Sequence, residues 1–206
     1  MPSTPNELRP RVRLRGDLPE KIDGGVIQRT SFAKFETISS AQDFSTSSDM
    51  VFNHTVPDKS NRIVLVFIAQ KNLTFLTPTF GGASMTLVET VNNGVNNKMS
   101  VYRLMDPPVG TSQVRITKGV QTEQSRGIAM TFSGVNQGAP IGTGPVKKTS
   151  TFQDTFVNFT TTLPQQLGVM MMQAEVSANH RMDDSRGTEI HNASFSAANT
   201  VVYTVE

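Results

Sequence analysis

From Met50 onward, short runs rich in Val, Ile, Thr and Phe alternate with clusters of Gly, Pro, Asn and Asp. No other feature constrains the fold as strongly. The runs cover residues 50–56, 62–70, 74–79, 85–91, 99–105, 113–118, 126–132, 155–161, 168–176, 189–195 and 200–205. Between them stand Pro57-Asp58, Gly81-Gly82, Asn92-Asn93-Gly94, Pro107-Pro108 with Gly110, and a loop from Gly134 to Gly144. Strands this short and this evenly spaced build a sandwich or a barrel. No window repeats its apolar residues at the helical period, and no repeat of solenoid length is visible. The expected fold is all-β: an antiparallel, jelly-roll-like β-sandwich.

Individual runs indicate burial. RIVLVFIAQ is apolar at nearly every position, which predicts a central strand covered on both faces. MSVYRLM alternates less regularly. GVMMMQAEV places Met170, Met171 and Met172 together, which reads as flexible core filling rather than a ligand patch. Hydrophobic residues make up only 36% of the chain. That suffices for a sandwich, because a half-buried strand needs an apolar residue only at alternate positions.

The first 49 residues differ. Residues 1–24 hold four of the eleven prolines, which remove amide donors and favour extended backbone. Residues 1–25 therefore read as an extended N-terminal arm and 26–49 as a transitional segment. In the latter, VIQRTSFAKF suggests a first strand or a wrapping segment, and SSAQDFSTSSD suggests loop. The β-sandwich domain is expected over 50–206.

Composition excludes several function classes. With no cysteine, disulfide scaffolds, thiolate metal sites and cysteine nucleophiles are ruled out. A net charge of +2 is too small to name a nucleic-acid or membrane partner for the whole molecule. The opening MPSTPNELRP lacks the apolar core of a signal peptide, and IVLVFIA is too short to span a bilayer. The expectation is a chain made in a reducing cytoplasm.

Catalytic motifs are missing. There is no phosphate loop, no Gly-x-Ser-x-Gly nucleophile elbow and no His-Glu-x-x-His helix. Of three histidines, His54 is expected to find a polar partner for its ring. His180, Asp183 and Asp184 form a weak candidate for a divalent cation. Their spacing matches no defined metal loop, and ANHRMDDSRG also reads as a polar hairpin tip. No cofactor and no enzymatic activity are expected. Sugar-binding platforms use flat aromatic faces, yet the chain has no Trp and two Tyr.

The arm carries the most pointed binding signal, LRPRVRLRG. Arg9, Arg11, Arg13 and Arg15 occupy alternate positions, with Val12 and Leu14 between them. In extended backbone the arginines share one face and Val12 and Leu14 the other. Lys21 brings the basic residues of 1–24 to five, against Glu7, Asp17, Glu20 and Asp23. This near balance argues against nucleic acid and favours an added strand on the sheet edge of another protein.

Four motifs then point to a family. His54, Thr55, Val56, Asn61 and Arg62 fit an H-T-V…NR strand, and Phe80, Gly81, Gly82, Met85 and Thr86 fit a [YF]-GG-x-x-[ML]-T turn. Tyr102, Leu104, Pro107, Pro108 and Gly110 fit a [YF]-x-L-x-x-PP-x-G hairpin. Phe132 to Gln137 with Pro140, Ile141 and Gly142 fit an FSGV-[DN]-Q-x-x-P-[IL]-G corner. Residues 50–142 thereby resemble a β-sandwich module of bacterial and phage surface and virion proteins, and among these a capsid decoration or cement protein. The resemblance implies a non-catalytic structural protein on the exterior of a phage capsid, partnered by capsid or other virion proteins. A homo-oligomer, with a trimer as the guess, is the further expectation. Another virion subunit (major capsid, tail or spike) and a glycan-binding adhesin module are the alternatives.

Overall fold

A computed structural model describes residues 33–43, 49–70, 77–93, 97–117, 125–141, 167–174, 187–195 and 198–205. For 42–43, 70, 93, 97 and everything from 168 on except Val169, only the backbone is described. The arm, the 155–161 run and the His180-Asp183-Asp184 cluster lie outside the described residues.

All the described regular structure is strand, as the alternating runs predict. The described residues form twelve strands: β1 (Lys34–Asp43), β2 (Met50–Val56), β3 (Ile63–Gln70), β4 (Thr79–Phe80), β5 (Ala83–Ser84), β6 (Thr86–Asn93), β7 (Asn97–Met105), β8 (Gly110–Ile116), β9 (Ser125–Ser133), β10 (Gly168–Ala174), β11 (Gly187–Phe195) and β12 (Ala198–Val205). A five-stranded sheet has the order β1-β9-β3-β7-β6, and a four-stranded sheet the order β2-β8-β4-β5. Every pairing in them is antiparallel. Successive segments alternate between the two sheets: β1, β3, β6–β7 and β9 in one, β2, β4–β5 and β8 in the other. This is the strand order of a jelly roll, with the β6–β7 hairpin filling one position. A third sheet, β10-β12-β11, follows in the chain.

Burial explains the sequence pattern. β3 is buried from Ile63 to Ala69 and lies in the middle of its sheet. Val64, Val66 and Ile68 face the four-stranded sheet, where they meet Met50, Val56, Phe80, Val114 and Ile116. Ile63, Leu65 and Phe67 face the other way, with Ile128, Met130, Phe132 and Val135. Leu167, Val169 and Ile141 pack against this second cluster. The central strand thus has apolar residues at every position because each face has its own cover. β2 and β8, which have only one apolar neighbour layer, alternate buried and exposed positions.

The turns follow local chemistry. Gly81 and Gly82 take φ of 56° and 85° between β4 and β5, where side-chain-bearing residues would be strained. Only Met85 separates β5 from β6, and its amide donates to the Pro78 carbonyl at 3.0 Å. The single 85–91 run expected from sequence is the part of this segment that crosses from one sheet to the other.

Two expectations change. Residues 34–43 are an edge strand of the five-stranded sheet, although Ser39 to Asp43 read as loop. The transitional segment therefore supplies part of the sandwich. The run expected over 74–79 survives as strand only at Thr79–Phe80, with 71–76 outside the described residues.

Candidate functional site

The four motifs meet at one end of the sandwich. β2, β7 and β9 finish there, and β3 and β8 start there. Arg62 is the hub. Its Nε donates to the Pro107 carbonyl at 3.2 Å, Nη2 donates to Asp106 Oδ1 at 2.9 Å, and Nη1 donates to the Lys59 carbonyl. Its own carbonyl accepts from the Asp106 amide at 3.0 Å and from Gln137 Nε2 at 3.3 Å. Gly134 and Val135 amides donate to the carbonyls of Ser60 and Asn61 at 3.1 and 2.9 Å. Asn136 Oδ1 accepts from the Gly138 and Ala139 amides, closing the corner.

Asn61 and Asp106 both adopt positive φ, 54° and 43°. Asp and Asn tolerate this region better than other side-chain-bearing residues. These two residues turn the β2–β3 and β7–β8 connections so that Arg62 and Asp106 face one another. The Arg62 side chain is only 15% exposed and Asp106 is 75% exposed, so the pair lies at the rim. The arrangement is a brace: its donors and acceptors are used within the chain, across loops far apart in sequence.

His54 makes a second polar link, between the sheets. It projects from β2 into the sandwich and is 1% exposed. Nδ1 lies 3.0 Å from Ser39 Oγ on β1, and Nε2 lies 2.8 Å from Thr131 Oγ1 on β9. The Phe80 ring stands edge-on at 6.1 Å. Burial pushes the imidazole pKa down to about 4, so the ring is neutral at neutral pH. The expected polar partner is thus two hydroxyls. Among the described residues the ring's partners are these two hydroxyls and no carboxylate, and the ring is shut off from solvent.

A third feature is the outer face of the four-stranded sheet. Asn53, Thr55, Thr111 and Gln113 are exposed there, paired Asn53 with Gln113 and Thr55 with Thr111. The Thr55 and Thr111 hydroxyls are 2.8 Å apart. Arg115 donates to Asp49 at 2.8 Å at the end of this face.

The sequence marks His54, Arg62, Pro107 and Gln137 as motif positions but not Asp106 as the partner of Arg62, nor Ser39 and Thr131 as the partners of His54. The signal for Asp106 was present: an Asp directly before Pro107-Pro108 is a common turn former. Nothing in the sequence singled out Ser39 or Thr131. Among the described residues no group of three His, Cys, Asp or Glu side chains converges as metal ligands, and no helix is long and apolar enough to cross a membrane. Arg9, Arg11, Val12, Arg13, Leu14 and Arg15 lie outside the described residues, as do His180, Asp183 and Asp184. Comparison with protein-family models, with curated proteins and with solved structures finds no match.

Proposed function

We propose that the chain is a structural virion protein, a capsid decoration or cement protein that stabilises a phage shell from outside. The observation that carries this reading is the convergence of three of the four family-like motifs, those of Arg62, Pro107 and Gln137, on one end of the jelly roll, where they brace one another. Residues so used mark a rigid scaffold, and their chemistry is spent on shape. Jelly rolls serve widely as capsid and lectin domains, a fold-level analogy that supports the class without fixing the member. On this reading the N-terminal arm orders when it docks on a neighbouring subunit, and many weak contacts on a repeating shell add up through avidity. Removal of residues 1–24 tests the arm. The truncated chain should keep its β-rich circular dichroism and lose its place on particles. Decoration by the truncated chain at full occupancy would refute the arm's role.

A glycan-binding module is the second reading, favoured by the outer face of β2 and β8. Asn53, Gln113, Thr55 and Thr111 present neighbouring amide and hydroxyl groups suited to sugar hydroxyls. Reproducible binding on a glycan array, abolished in Gln113→Ala, would favour this reading over a purely structural one.

A further inference from the structure

We propose that the peptide link between Asp106 and Pro107 is a self-cleavage site, cut by the Asp106 carboxyl in mild acid and restrained in the fold by Arg62. The inference does not depend on what the chain assembles with.

Asp106-Pro107 is the one Asp-Pro pair in the sequence. Such a link differs from other peptide bonds in two ways. The aspartyl carboxyl reaches its own backbone carbonyl carbon through a five-membered ring. The proline nitrogen belongs to a tertiary amide and departs as a secondary amine. In the reaction, a carboxylate oxygen of Asp106 bonds to the Asp106 backbone carbonyl carbon. The bond from that carbon to the Pro107 nitrogen breaks, and the nitrogen takes one proton from the acid. The cyclic anhydride left on Asp106 then adds one water and opens to two carboxyls. The net change is hydrolysis of one peptide bond, with nothing oxidised or reduced.

The fold acts on both partners in this reaction. Asp106 follows β7 and its side chain is 75% exposed, so water and acid reach it. Arg62 grips the link from both sides. Its Nη2 donates to Asp106 Oδ1 at 2.9 Å, and its Nε donates to the Pro107 carbonyl at 3.2 Å. The Asp106 amide donates to the Arg62 carbonyl at 3.0 Å. Cleavage needs two movements. The carboxyl must turn onto its own backbone carbon, and the planar link must twist before its nitrogen accepts a proton. A carboxylate tied to Nη2 resists the first, and residues held on both sides of the link resist the second. The backbone records the grip. A residue before proline is steered toward negative φ and extended backbone, yet Asp106 has φ of 43°. Such a conformation persists where its surroundings over-determine it.

Topology decides what the cut does. The link joins β7, in the five-stranded sheet, to β8, in the four-stranded sheet. Fragment 107–206 stays anchored by β8, which lies between β2 and β4, and by β9, which lies between β1 and β3. All four of those neighbours belong to fragment 1–106. The product is a nicked chain whose sheets remain paired.

Mass spectrometry of the purified full-length chain in mild acid tests the assignment, at a pH where circular dichroism still reports the folded sheets. Arg62→Ala removes the grip, and Asp106→Asn removes the attacking carboxylate. Gly127→Ala loosens the sandwich by crowding Ile116 and Phe52 and leaves the grip in place. The expected fragments are 1–106 and 107–206, with masses that add up to the intact chain plus one water. They should elute together on gel filtration and part only in denaturant. Arg62→Ala should release them about tenfold faster than the parent, the fold-change that one charge-assisted bond is worth. Gly127→Ala should stay close to the parent's rate, and Asp106→Asn should not be cut. Arg62→Lys keeps the charge without the fork, so it should also be cut faster, and it stands in if Arg62→Ala does not fold. Equal rates in the parent and the Arg62 variants would overturn the guarding role. So would a Gly127→Ala chain cut as fast as Arg62→Ala, because general loosening would then explain the rate. Cleavage of Asp106→Asn at the parent's rate, or no cut at this link in any chain, would overturn the site itself. Fragments that separate without denaturant would overturn the nicked product.

Discussion

The ring of His54 is neutral inside the sandwich, and acid must work against that. Its pKa in the fold is about 4, below the ordinary 6.5 that it regains on unfolding. Stability from this residue is therefore complete above about pH 6.5 and is lost as the pH falls toward 4, where the folded ring begins to protonate. The loss across that window is about 3 kcal/mol at one-unit shifts of 1.4 kcal/mol each. His54→Phe keeps an aromatic ring and removes the titration. Its melting temperature should fall less between pH 6.5 and 4 than that of the parent, and parallel curves would show that His54 is not the titrating group. Gly127 is a steric counterpart. A Cβ there would come within 2.8 Å of Ile116 Cδ1 and 2.9 Å of Phe52 Cε1, so Gly127→Ala should cost about 1–3 kcal/mol in urea unfolding. Ser125 Oγ is buried with no hydrogen-bond partner. Ser125→Ala should leave stability unchanged or raise it by about 1 kcal/mol, since it deletes an unmet desolvation cost. Arg62→Ala breaks the brace at its hub and should cost about 2–4 kcal/mol, because a charge-assisted bond and several loop contacts go together. A cost near zero would mean that the three loops hold their shape without it.

At the scale of elements, the sequence was most informative where burial is simple. β2 coincides with its expected run, and β3 and β9 differ from theirs by a residue or two at the ends. Their alternating or continuous apolar patterns report directly on one-sided or two-sided cover. β1 was partly hidden because SSAQD is small and polar. That half of the strand lies at the edge of the sheet, and Ser39 is there as a partner for His54. A pattern read for hydrophobicity cannot see a strand held by neighbour pairing and a hydroxyl. The crossing at Met85 was equally hidden. One unbroken apolar run says nothing about which sheet each half joins; the pairing of β5 with β4 and of β6 with β7 shows the switch. The brace was half legible: motif positions could be named, but Asp106 and Arg62 are 44 residues apart and their meeting is a product of the jelly-roll order.

Among the described residues, two apolar layers cover the faces of one five-stranded sheet, and β1 is tied to the neighbouring sheet through Thr37 and through Ser39 with His54. The proposed virion role is most directly tested on particles. Phage particles from the culture that encodes this chain can be banded on a density gradient and probed across the fractions. The account predicts that the chain peaks with the major capsid protein at a fixed molar ratio. A chain found only at the top of the gradient, with intact particles free of it, would contradict the account.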